Sequence, residues 1–257
     1  MPPIHLAIRR GAEVSWRYEH EWPLARTNWT VMSLDAGSHT LQRNAPKDEA
    51  KTTYSADPDA SLGGSVSSYD EVLTYDGTLS GDGKSVLFLT EPLPADTEIT
   101  GPLALTLALS CTEPDTDIFV TVRNLAPDGS EIVVDGLDNP QTPVTQGWLR
   151  LSHRQLDTVR STPFRPIHRH QELLPVTPSE IVEVQIELGP TSMVFEKGHR
   201  LAVEIGSHDL KGSFPILHND PADRKVGGTV TIHTGPTHRS SLLLPLIPSA
   251  NPEGSQP

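Results

Sequence analysis

Cysteine is almost missing from this chain: Cys111 is the only one in 257 residues. No intrachain disulfide can form, and no thiolate cluster can hold a metal. Basic residues are in the minority, with 20 Lys and Arg against 33 Asp and Glu, a formal net charge of −13. Such a surface repels a phosphate backbone, and no local run of basic residues offsets it, so nucleic-acid binding is excluded. Long apolar runs are lacking too. No stretch approaches the roughly 18 residues of a membrane span. The opening MPPIHLAIRRG has neither the charged nor the apolar region of a signal peptide. A cytoplasmic protein without membrane contact is expected, and the glycosylation pattern Asn28-Trp29-Thr30 reads as coincidence.

Catalytic signatures are equally sparse. A hydrolase elbow needs G-x-S-x-G between a strand and a helix. The nearest approach, Gly63-Gly64-Ser65-Val66-Ser67, ends in serine and precedes no helix, so it reads as a Ser/Gly loop. Cys111 closes an apolar strand and reads as a buried thiol. Among 11 histidines, His168-Arg169-His170 and His208-Asp209 are the metal-ligand candidates, but no H-E-x-x-H is present and Pro166 argues for a loop. Solvated or hydrogen-bonded histidines are the better reading, and no cofactor is expected. Gly227-Gly228 precedes a strand rather than a helix, so it forms no phosphate loop. Trp16, Trp22, Trp29 and Trp148 fit core or interface positions better than a sugar-stacking platform.

What the chain has in quantity is turn formers, 24 Pro and 19 Gly, and alternating segments. Val182, Val184, Ile186 and Leu188 alternate with Glu183, Gln185 and Glu187, the period of a half-buried strand. Segment 201–205 repeats the pattern. Leu103, Leu105, Leu107 and Leu109 share one face, and the small residues opposite suggest close packing against another sheet. Further strands are expected at 4–9, 29–34, 85–90, 117–124, 130–135, 146–152, 229–234 and 240–246. Asp76-Gly77, Asp82-Gly83 and Asp128-Gly129 supply turns, and Pro127-Asp128-Gly129 reads as a hairpin. Segments 41–70 and 153–179 look irregular, the first a surface excursion and the second a crossover lying on the sheets. No helical stripe, repeat or linker is found. The fold class is all-β, in one domain of residues 1–248 with a frayed tail at 249–257.

Several segments together resemble one family. They are Glu98 to Leu103, Asp117 to Arg123, Pro127-Asp128-Gly129, Gly147-Trp148-Leu149-Arg150-Leu151-Ser152-His153-Arg154, Pro190-Thr191-Ser192, Lys197 to Leu201 and Gly206 to Asp209. Thr231-Ile232-His233 and Leu242 to Pro245 close the series, and Trp16-Arg17 with Glu21 to Ala25 opens it. In this order they are similar to the C-terminal domain of X-Pro dipeptidyl-peptidase and cocaine-esterase-type (CocE/NonD) serine hydrolases. The resemblance implies a jelly-roll (galactose-binding-like) β-sandwich with long irregular crossovers. It implies a partner too: an α/β-hydrolase domain carrying the Ser-Asp-His triad, on which this domain packs to help wall the substrate cleft. No triad position is found in this sequence. By the same resemblance, His208, Asp209, Phe214 and Asn219 fall in a loop facing the cleft. Trp16, Trp22, Trp29 and His168 are the candidates for the partner-facing surface. Self-association is a further partner option. An independent carbohydrate- or ligand-binding module, and a hydrolase with an unrecognised constellation, remain open alternatives.

Overall fold

The computed structural model describes residues 2–56, 85–135, 142–207, 225 and 227–248. In chain order the strands are β1 Ile4–Arg10, β2 Glu13–Glu19, β3 Asn28–Asp35, β4 Thr40–Gln42, β5 Ala50–Ser55, β6 Ser85–Leu89 and β7 Thr97–Cys111. They continue with β8 Asp117–Leu125, β9 Thr145–Arg150, β10 Val182–Phe195, β11 Arg200–Gly206, β12 Thr229–Thr234 and β13 Ser241–Ile247. The one helical element among the described residues is a 3-10 turn at Leu151–His153.

The strands hydrogen-bond in the order β2-β1-β10-β7-β13-β3-β4-β6-β11-β8-β9, with β12 bridging β5 and β7. Pairing is antiparallel except for β1 with β10 and β4 with β6. The mixed sheet curls into a half-barrel, giving the expected β-sandwich. Its centre is β7, whose leucine face meets the same face of β10 in register, Ile186 opposite Leu105 and Val184 opposite Leu107. Across the interior lie Ile118, Val120 and Val122 of β8 with Leu201, Val203 and Ile205 of β11, all in one cluster. Burying each such side chain contributes about 1.5–3 kcal/mol, so this cluster is the principal stabilising feature.

Gly101 and Pro102 lie inside β7, with matching register shifts on both flanking strands, at Leu188/Thr191 and at Leu243/Leu246. A Cβ on Gly101 would come within 2.7 Å of Pro245, so only glycine lets the strands cross there. Gly101-Pro102 is therefore a bulge inside a strand that runs on through it.

Several expectations need correction. Segment 130–135 is no strand: Glu131 and Val134 make only isolated bridges, because β9 occupies that edge of β8 up to Val122 and β11 the other. The expected excursion at 41–70 contains β5, which pairs with β12 although its alternation, Thr52, Tyr54 and Ala56, was too polar to stand out. Strand β9 ends at Arg150 rather than 152. The leucine strand's second face packs partly under the 153–179 crossover rather than under another sheet, with Ala104, Thr106, Ser161 and Pro163 lining one shallow pocket. Trp29 stacks on Phe164 at 4.7 Å and pins that crossover down. The hairpin at Pro127-Asp128-Gly129 forms: Ala126 N–H donates to Ser130 O (2.8 Å), and Asp128 accepts from the Ser130 hydroxyl (2.6 Å). Asp76-Gly77, Asp82-Gly83 and the Gly63 to Ser67 loop lie outside the described residues.

Candidate functional site

A cleft of about 610 Å³ among the described residues lies where the edge of β9 approaches β10 and the 153–170 crossover. That volume falls in the usual range for small-molecule sites. The two strands approach so closely because β9 carries Gly147: a Cβ there would sit 2.3 Å from the Glu187 carbonyl oxygen. Thr145 Oγ1 donates to the Gly189 carbonyl at 2.5 Å and locks the crossing.

One wall of the cleft is formed by β8 and β9. Phe119 is buried opposite Trp148, which is 49% exposed. Asp117 is buried and accepts from Arg150 Nε at 2.8 Å and from the backbone N–H of Lys225 at 2.8 Å. The other wall is imidazole. His153 Nδ1 and His170 Nδ1 lie 3.0 Å apart, so one ring donates its N–H to the other. Burial, then the neighbouring His170 and His153 rings, pulls the pKa of His168 below the ordinary histidine value. Its Nε2 is buried without a protein hydrogen-bond partner. Glu187 completes the rim beside Arg165, at 3.4 Å.

The constellation offers imidazole, indole and carboxylate groups to a ligand. Among the described lining residues there is no Ser, Thr or Cys, and Asp117 is engaged by Arg150. No group of three or more His, Cys, Asp or Glu among the described residues is arranged to hold a metal.

Two nucleophile-like groups lie elsewhere. Cys111 donates its thiol to the Glu113 carbonyl at 2.7 Å, and burial pushes its pKa up, the opposite of an activated thiolate. Ser110 and His233 form a pair the sequence did not reveal, Oγ to Nε2 at 2.9 Å across β7 and β12. Its likeness to a catalytic dyad ends there. The carboxylate of Glu49 contacts His238 rather than His233, at 3.4 Å, so the arrangement lacks the acid that orients a triad histidine. Burial, then His238 and Lys51, pulls the pKa of His233 below the ordinary histidine value. It is a cross-strand hydrogen bond.

The four partner-surface candidates do not converge. Trp16 (64% exposed) and Trp22 (39%) reach the surface beside β2. Trp29 is engaged by Phe164, and His168 belongs to the cleft. His208, Asp209, Phe214 and Asn219 lie outside the described residues.

The fold is a β-sandwich, and the cleft lies between its β9 edge, β10 and the crossover. The chain belongs to the X-Pro dipeptidyl-peptidase C-terminal non-catalytic domain family, whose model matches residues 1–243. It is similar to the cocaine esterase of Rhodococcus sp. (strain MB1 Bresler), 28% identical over 266 residues, covering 96% of this chain and 42% of the esterase. A crystal structure of a CocE/NonD family hydrolase from Staphylococcus aureus is 25% identical and superposes with a TM-score of 0.81, over 96% of this chain and 42% of that one. An α-amino acid ester hydrolase shares the fold at 20% identity, TM-score 0.66, with 95% and 41% covered. The chain spans about two fifths of the length of these relatives.

Proposed function

We propose that this chain serves an ester-cleaving serine hydrolase of the CocE/NonD type, packing on its α/β-hydrolase domain and walling part of the substrate cleft. The supporting observation is the division of length. Nearly the whole chain matches a non-catalytic domain, while more than half of each relative lies outside the match. The nucleophile and oxyanion hole belong to that remaining part. Esters are favoured over X-Pro peptides because the cocaine esterase relative bears an esterase name.

The purified chain is expected to hydrolyse neither p-nitrophenyl butyrate nor an X-Pro p-nitroanilide, and to take no label from a fluorophosphonate. Turnover abolished by that label would overturn the reading. A second reading, an independent ligand-binding module, is favoured by the cleft beneath Trp148. A thermal-shift screen against a sugar panel separates the two, since the accessory reading expects no shift.

A further inference from the structure

The β1–β2 hairpin carries an inverted pattern. Strand β2 alternates strictly, with Glu13, Ser15, Arg17 and Glu19 on one face and Val14, Trp16 and Tyr18 on the other. In a hairpin lying on a protein surface, the apolar set should face inward. Here Arg17 and Glu19 of the polar set do, half-buried and buried, while Glu13 and Ser15 are exposed. Arg17 donates to Glu98 (2.7 and 2.9 Å) and to Glu19 (2.6 Å), and Glu19 also binds Arg26. On β1, Arg10 reaches Asp96 at 2.6 Å. The apolar set points away from the body, with Val14 51%, Trp16 64% and Tyr18 48% exposed. His5 of β1 stacks on Tyr18 (4.2 Å) and touches Trp16 (4.5 Å), so the aromatic rings are held in place before any partner arrives. Strand β2 also ends the hydrogen-bonded order of the sheet. An apolar stripe on a terminal strand invites aggregation unless something covers it.

We infer that the outward face of this hairpin, His5, Val14, Trp16 and Tyr18, is the surface on which the α/β-hydrolase domain seats. This rests on the accessory-domain reading above. Two observations select that occupant. The hairpin falls inside the matched family domain, so relatives of this type carry the same stretch within their non-catalytic part. It also lies at the N-terminal end of the match, and because the family's domain is C-terminal, the rest of a relative's polypeptide precedes this stretch. Ion pairs fix the hairpin rigidly to the body, and a preorganised aromatic face loses little freedom on docking.

The test replaces the matching segment of the Rhodococcus cocaine esterase with residues 1–257 and compares this chimera with the chain alone by amide hydrogen exchange. In the chain alone, residues 13–19, on an uncovered terminal strand, should exchange faster than residues 103–109 of β7. In the chimera they should slow by about tenfold or more. Trp16→Ser with Tyr18→Ser should leave the melting temperature of the chain alone unchanged, because both side chains are exposed, and should lower that of the chimera. A compact chimera in which residues 13–19 exchange as fast as in the free chain would place the interface elsewhere and leave the accessory reading intact. A chimera whose two parts stay unassociated by small-angle scattering would overturn the accessory reading itself. Dimers of the chain alone with residues 13–19 protected would assign the face to a second copy instead.

Discussion

Arg123 shows how much one residue can carry in this fold. Its guanidinium, 9% exposed, donates to both oxygens of Glu131 (2.9 and 2.8 Å) and to Glu204 (2.9 and 2.6 Å). Glu131 is itself almost fully buried, so removing the cation would leave a buried carboxylate without its two guanidinium hydrogen bonds. Arg123→Ala should destabilise by about 3–5 kcal/mol, read as a lower urea midpoint. Nothing local to Arg123 shows this burial, which depends on strands distant in sequence. Gly147 is the opposite case, a residue defined by what it lacks. Gly147→Ala would push Cβ into the Glu187 carbonyl, so it should cost about 1–3 kcal/mol and loosen the β9–β10 crossing. Faster amide exchange at 145–150 would report that loosening. Nothing local to Gly147 announces this role, since the crowding comes from a strand forty residues on.

Among the elements, β7 and β10 were legible because their leucine and valine faces alternate cleanly, with small residues opposite on β7 and polar ones on β10. Strand β2 was not, although its alternation is as regular. Its apolar residues face outward, and without the fold that pattern reads as a tryptophan-bearing entry segment. The hairpin is held by charge rather than by a deep core, with Ile8 its only fully buried apolar side chain. Arg17→Ala should therefore cost only about 1 kcal/mol globally, the range of a half-exposed ion pair. Its effect should be local: exchange at residues 4–19 should rise while 103–109 stays protected. An equal rise in both segments would show that the hairpin and sandwich unfold as one unit. The 153–179 crossover was correctly read as irregular, yet its contributions to the cleft, His153, His168 and His170, come together only when the segment folds back on β9.

For the whole molecule, pH should act in two steps. Burial, then neighbouring charge, keeps His168 and His233 below the ordinary histidine value, and burial alone does so for His39. The unfolded chain thus binds these protons more readily. Stability should fall as pH drops from about 6.5, and His168→Gln should remove part of that decline. The second step belongs to carboxylates. Burial pushes Glu98 up, but Arg17 outweighs it, and hydrogen bonds from Arg26 lead the lowering of Glu19. Their stabilisation is present above about 4.5 and is lost as pH falls through the depressed native values. Thermal melts between pH 7 and 3 should show both declines, with Arg17→Ala flattening the second.

The sequence by itself determined that this is an all-β domain, where most core strands run, and that it resembles a non-catalytic domain of serine hydrolases. Those properties follow from period-two alternation, turn chemistry and ordered motifs, all local along the chain. The tertiary structure alone decided which tryptophans remain exposed, how three histidines and Trp148 come to share one cleft, and that Ser110 meets His233. These depend on strand register and on the curl of the sheet, which join residues through contacts no local pattern encodes. The single cysteine needed both: its number excluded a disulfide, and its burial against the Glu113 carbonyl made it inert.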